Sequence, residues 1–238
     1  PPTVKSIAAL KAGLGKTLME RIVDSKPEVV TLLDTQYRMN EEIMRFSSSW
    51  FYDGKVKAAP ITAHRGILDY DTPIEWVDDD ANDDETVGET FVGETFGRIN
   101  KVEARQVMEL LQAYFEKIGK QRILDESIDV GIISPYRAQV QYLRHLIKKE
   151  TFFKPFRHLL SVNTVDGFQG QERDIIIVSL VRSNNDGQIG FLRDLRRMNV
   201  AMTRARSKLI IIGDHETLAH HEFYNKLYEY IKSLSVDI

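Results

Sequence analysis

The 238-residue sequence contains no cysteine, which removes disulfides, thiolate zinc sites and a cysteine nucleophile together. No apolar run approaches the ~20 residues that a membrane-spanning helix needs, so a membrane partner is not expected. The opening residues Pro1-Pro2-Thr3-Val4-Lys5 lack the basic start and apolar stretch of a secretory signal. An intracellular, cytoplasmic setting fits these absences. The six histidines show no ligand spacing, and adjacent His220 and His221 would point apart on a helix, so no metal site is expected. A phosphate-binding loop is missing as well. Gly13-Leu14-Gly15-Lys16-Thr17 imitates the end of one, but Leu10 stands where the first glycine must be, and no strand precedes it.

What is present describes a globular chain. Apolar residues make up 42% and charged residues 28%, a balance that buries a core rather than leaving the chain disordered. The net charge of -3 at first argues against a polyanion partner. Its distribution argues otherwise. Asp71 to Gly97 holds ten acidic residues and no lysine or arginine, so the remainder carries +7. Such a run repels itself and predicts a solvated acidic surface loop over residues 78–98 on a basic body. The same stretch contains a tandem pentapeptide, Val87 to Phe91 and Val92 to Phe96, too short for a repeat architecture and read as a surface hairpin or loop.

Apolar spacing alternates between helix and strand. Ile7, Leu10, Leu14, Leu18 and Ile22 form a helical face over 4–23, and Val29 to Leu33 reads as a short buried strand. Asn40 and Asn100 are candidate helix caps, and a helix is expected over about 191–206. Ile74 to Val77, Asp129 to Ile133, Leu160 to Val165, Ile175 to Val181 and Leu209 to Ile212 read as strands. Short, continuous, β-branched strands separated by longer helices indicate an α/β fold, a parallel sheet covered on both faces.

Ligands of open parallel sheets collect at the carboxyl ends of the strands. Four polar clusters are expected there: Gln36-Tyr37-Arg38-Met39, Ser134-Pro135-Tyr136-Arg137, Asp166 to Glu172, and Thr203-Arg204-Ala205-Arg206. Together they offer arginines, a carboxylate and an aromatic to one phosphate-bearing ligand.

Three of these stretches carry a resemblance. Gln36-Tyr37-Arg38-Met39, Thr164-Val165-Asp166-Gly167-Phe168-Gln169-Gly170-Gln171-Glu172 and Asn199 to Arg206 resemble, in order and spacing, consecutive motifs of superfamily 1 helicases. The match is closest to superfamily 1B, the branch of the RNA-surveillance helicases and their DNA-acting relatives, and it extends to about residue 215. The resemblance implies a RecA-like fold, the carboxyl-terminal of two motor domains spanning residues 1–238, with residues 1–25 a linking helix. In such helicases ATP binds between the two domains. The first supplies the phosphate loop and the magnesium carboxylates, and the second supplies arginine fingers.

By that resemblance Arg204 is an arginine finger and Arg38 a second phosphate-sensing arginine. A guanidinium suits this because it stays charged and offers a planar fork of donors. Gln36 and Tyr37 would border the nucleotide, with Tyr37 lying on the adenine. Glu172 would contact the sugar, and Gly170 would let backbone amides approach a phosphate. Ser134, Tyr136 and Thr164 would line a single-strand groove, with Gln169 linking it to the nucleotide. Read without the resemblance, Ser134 is a helix cap, Thr164 a buried hydroxyl, and Arg206 an ion-pair partner on a helix. The implied activity is that of an ATP-dependent helicase acting on single-stranded RNA or DNA, with this chain inactive as an ATPase by itself. The alternative is a docking module that kept the fold without the chemistry.

Overall fold

The computed structural model describes residues 4, 6–79, 88–93 and 97–234. The chain divides into two compact units, Pro1–Thr35 and Gln36–Ile238.

In the first unit the expected continuous helical face is interrupted. Gly13 adopts φ +86° and breaks the winding before helix α1, Leu18–Ser25. Thr17 caps α1 in a reciprocal box: its hydroxyl accepts from Glu20 N at 3.1 Å, and the Glu20 carboxylate accepts from Thr17 N at 2.6 Å. Lys16 pairs with Asp24. The Gly-Lys-Thr sequence thus opens a helix. The strand expected over Val29 to Leu33 does not form. Pro27–Val29 is a single 3-10 turn, Leu33 is 83% exposed, and no neighbouring strand pairs with the segment. A strand without a ladder partner leaves its amides to water, and apolar content cannot replace that partner.

The second unit is built on five strands. They are β1 (Ile74–Val77), β4 (Val130–Ser134), β5 (Leu160–Thr164), β6 (Arg173–Ser179) and β7 (Ala205–Ile212), arranged 1-7-6-4-5 with every pairing parallel. Between β1 and β4 run a hairpin, β2 (Thr90–Val92) against β3 (Gly97–Ile99), and helix α3 (Lys101–Ile118). The other long helices are α2 (Glu41–Phe51), α4 (Arg137–Lys149), α5 (Leu195–Met202) and α6 (Glu222–Leu234). The caps predicted at Asn40 and Asn100 are present: their side chains accept from Glu42 N and Glu103 N. Strand alternation sorts the core onto two faces. Ile176 and Val178 pack with α2, α5 and α6, while Ile175 and Ile177 pack with α3 and α4.

Two expectations are corrected here. The helix predicted to run to residue 206 ends at Met202, and Ala205 already belongs to β7. Arg206 therefore sits on a strand.

The acidic stretch is also not a solvated loop where it is described. Asp71 and Glu75 flank the buried Lys208 amine at 2.8 and 3.1 Å, and Asp78 accepts from Trp76 and Tyr228. Glu89 pairs with both Arg98 and Arg182 at 2.5 Å, anchoring the hairpin. The cations that offset these acids come from residues up to 137 positions away, which no local count of charge can register. Asp80, Asp83, Asp84, Glu85 and Glu94 lie outside the described residues, as does part of each pentapeptide copy.

Candidate functional site

The loop Gln36 to Met39 is shaped by its own glutamine. The Gln36 amide oxygen accepts from Arg38 N at 2.8 Å and Met39 N at 2.7 Å, while its nitrogen donates to Met39 O at 2.8 Å. These bonds turn the backbone so that Met39 is buried and Tyr37 stands 69% exposed. Arg38 reaches inward. Its Nε donates to Glu172 Oε2 at 2.5 Å and its Nη1 to Thr203 O at 3.1 Å.

Arg204 arrives from the junction between α5 and β7. Its guanidinium donates to Val200 O at 3.0 Å, Gln171 O at 3.2 Å and Thr203 Oγ1 at 3.2 Å. Arg38 and Arg204 thus share Thr203 and the Gln171–Glu172 pair as anchors, and the two cations meet in one place. Burial lowers the Arg204 pKa first and the Arg38 charge lowers it next, while Glu172 opposes them. The Arg38 hydrogen bond, more than any other cause, holds the Glu172 carboxyl below its ordinary range, with Arg206 and Arg65 adding to it.

Charge at this cluster does not balance. Arg206 is matched by Asp129 at 2.9 Å and Asp174 at 3.1 Å, and touches Glu172 only at 3.9 Å. Glu172 alone is left to face Arg38 and Arg204. The Arg38–Glu172 pair is also partly exposed, at 32% and 41%, where such pairs contribute only ~0–1 kcal/mol. A better anion can therefore take Arg38 at small cost. Arg65 belongs to the same neighbourhood, donating to Arg38 O at 2.9 Å, and is a residue that motif reading missed.

The turn from Asp166 to Glu172 carries the next residues. Phe168 is buried at 1% and ties the turn to the sheet, while Gln169, Gly170 and Gln171 are exposed. Gly170 has φ +81°, a left-handed conformation that admits glycine without strain. At Gly167 a Cβ would come within 2.5 Å of the Asn163 amide, which would have to move to admit a side chain.

The clusters do not all lie at the carboxyl ends of the strands. Glu172 and Arg204 immediately precede β6 and β7, at the amino end, whereas Ser134 and Thr164 close β4 and β5 at the other. About seven residues of strand, roughly 20 Å, separate the two ends. The cause is the early end of α5, which brings Arg204 to the start of β7.

At the carboxyl end, Ser134 is fully buried and its hydroxyl accepts from Tyr136 N at 3.4 Å. It presents nothing to solvent, and it does not cap the following helix, whose N-cap is Tyr136 with no side-chain cap bond. Tyr136 is 6% exposed, and its buried hydroxyl has no hydrogen-bond partner among the described residues. Thr164 is half-buried and borders a cavity of about 40 Å³ with Pro135, Asp166, Phe191, Asp194 and Arg197. Phe191, 65% exposed, was not legible as a site residue because no motif marks it. Among the described residues no group of three or more histidine and acidic side chains could hold a metal ion, and no helix is long and apolar enough to cross a membrane.

Comparison with known proteins gives a consistent set of likenesses. A family model described as an AAA domain matches residues 14–216. An uncharacterized ATP-dependent helicase of Methanocaldococcus jannaschii is 37% identical over 245 residues, covering 98% of this chain and 34% of that protein. DNA polymerase alpha-associated DNA helicase A of Saccharomyces cerevisiae is 37% identical, with 92% and 33% covered. A regulator of nonsense transcripts 1 homolog of Neurospora crassa is 34% identical, with 97% and 21% covered. The chain spans about a third or less of the length of the curated relatives it matches.

Proposed function

Because this chain belongs to the AAA-domain family of superfamily 1B helicases, we propose that it is the second RecA-like motor domain of an ATP-dependent nucleic-acid helicase. ATP would bind between this unit and a first motor domain that carries the phosphate loop. Arg38 and Arg204 would grip the γ-phosphate, Tyr37 would lie on the adenine, and Glu172 would accept from the sugar once Arg38 turns to phosphate. Gln36 holds the loop in shape, and Gly170 keeps the approach to the phosphate open. One observation carries this reading: Arg38 is bonded to the Glu172 carboxylate and Arg204 is held beside it on the Gln171 carbonyl, so two guanidiniums share the neighbourhood of one carboxylate.

Developing charge on the transferred phosphoryl group would be stabilised by the fixed forks of Arg204 and Arg38. Bound Mg²⁺ would supply charge neutralisation between the phosphates. Its ligands would lie on the first motor domain. Single-stranded RNA or DNA would run along the carboxyl end of the sheet past Thr164 and Gln169, with Ser134 and Tyr136 supporting that surface from beneath. Nucleotide-driven closure at the amino end would then be felt at the strand through the Asp166 to Glu172 turn, which spans both ends.

By itself the chain should not hydrolyse ATP. In a protein joining it to the first motor domain, Arg204→Ala should lower kcat by about 10³–10⁵-fold, the usual effect of losing an arginine finger, while nucleotide still binds. An unchanged kcat would remove Arg204 from the reaction. Appreciable ATP turnover by the 238-residue chain would contradict the division of labour.

A further inference from the structure

The carboxyl end of the sheet was expected to meet a strand through Ser134 and Tyr136, yet both are buried. What stands exposed in their place is Phe191. The turn that carries it is pinned on both sides. At Gly190, φ +55°, a Cβ would fall 2.4 Å from Arg182 Nη1 and 3.0 Å from the Tyr136 hydroxyl, so backbone packs directly on those groups. At Leu192 the side chain is 5% exposed and its carbonyl accepts from the buried Tyr224 hydroxyl at 2.8 Å. Between these anchors the Phe191 ring is held outward, 65% exposed, with its centroid 5.7 Å from that of Tyr136. A lone exposed aromatic is ordinary, but one whose neighbours fix it in place has lost little freedom to lose again on binding.

The charges around the ring are sorted. Asp166 and Asp194 are matched by Arg197, and Asp194 also by Arg196. Arg193, two residues from the ring, and Arg137, next to Tyr136, are exposed and have no hydrogen bond or ion pair among the described residues. An aromatic face held outward, with one exposed arginine two residues along the same turn and another next in sequence to Tyr136, can hold a base by stacking and its phosphates by charge, without reading sequence.

We propose that Phe191 is the base-stacking residue of this motor domain, with Arg137 and Arg193 contacting the flanking phosphates of single-stranded nucleic acid. The proposal rests on the helicase reading above and names its strand contact. The test titrates the 238-residue chain at low ionic strength with a fluorescent single-stranded oligonucleotide and with an abasic strand of equal length. Wild type should prefer the strand with bases. Phe191→Ala should weaken that binding roughly 5- to 100-fold and erase the preference, and Phe191→Trp should keep it. Arg137→Ala and Arg193→Ala should each reduce the salt slope by about 0.7.

If wild type binds and Phe191→Ala changes neither affinity nor preference, the stacking proposal is overturned while the helicase reading stands. An equal loss on both strands overturns stacking too, since the ring would then touch only backbone, or the fold would have changed. If wild type binds neither strand, the strand-binding part of the helicase reading falls together with this one.

Discussion

Replacing Glu103 should expose how the carboxyl end of the sheet is held. Glu103 lies in the first turn of α3 and is fully buried. Ser179 Oγ donates to it at 2.6 Å and Val181 N at 2.7 Å, and no lysine or arginine is hydrogen-bonded to it among the described residues. Val181 has φ +73°, a conformation that costs a β-branched residue on the order of 1–3 kcal/mol, so the bond to its amide holds a strained exit from β6. Alanine at 103 leaves the Val181 amide unpaired and the Ser179 hydroxyl, which still accepts from Gln139 Nε2 at 3.0 Å, without an acceptor for its proton. At about 1–3 kcal/mol for each orphaned group, the loss is roughly 2–6 kcal/mol, a large share of a typical 5–15. Burial pushes the Glu103 carboxyl well above its ordinary range, against the lowering effect of its two hydrogen bonds, and the nearby Asp79 and Asp214 add to the rise. Glutamine keeps the shape, and its amide can donate to Ser179 Oγ and accept from Val181 N, so Glu103→Gln should cost far less than alanine. The sign with pH follows from the raised value. The native state holds its proton where the unfolded chain has lost it, so the contribution is complete below an unfolded pKa of ~4.3 and fades as pH rises toward the folded value. Wild type should therefore lose up to ~1.4 kcal/mol per pH unit relative to Glu103→Gln across that interval. Urea unfolding followed by fluorescence reads this directly, because buried Trp76 lies in the same unit. Parallel pH profiles for wild type and Glu103→Gln, or an alanine variant as stable as either, would refute the reasoning.

Lys208→Ala should destabilise the second unit by about 3–5 kcal/mol, because Asp71, Glu75 and the Thr72 carbonyl would lose the one amine they surround. Urea unfolding checks it, and a change no larger than that of a surface pair would show that those acids are solvated after all. Gly131→Ala should cost about 1–3 kcal/mol, since the new methyl would meet Ile176 Cδ1 at 2.6 Å and Phe168 Cε1 at 2.8 Å. Its distinguishing sign is faster amide exchange across residues 165–172, the turn that Phe168 secures. Unchanged exchange there would mean that Phe168 does not govern the turn.

Much of the scaffold was legible because its causes are local. The strands Val130–Ser134 and Arg173–Ser179 are nearly continuous apolar runs, the pattern of strands covered on both faces, and helices α2 and α3 each begin where an asparagine accepts from the first turn. Val29 to Leu33 has the same local character and forms no strand, since a strand also needs a neighbour that composition does not reveal. The three helicase-like stretches identified the family and singled out Arg38 and Arg204, but nothing in their spacing says that Thr203 and the Gln171–Glu172 pair bring both guanidiniums together. Only the folded chain decided that Glu172 faces two arginines while Arg206 is satisfied by Asp129 and Asp174, that Ser134 is buried, and that Phe191 is not. It also placed the arginines at the amino end of the sheet and Thr164 at the other. Helix caps and apolar periodicity act within a few residues and can be read along the chain, whereas ion pairing and burial depend on which distant segments the packing brings within a few ångströms.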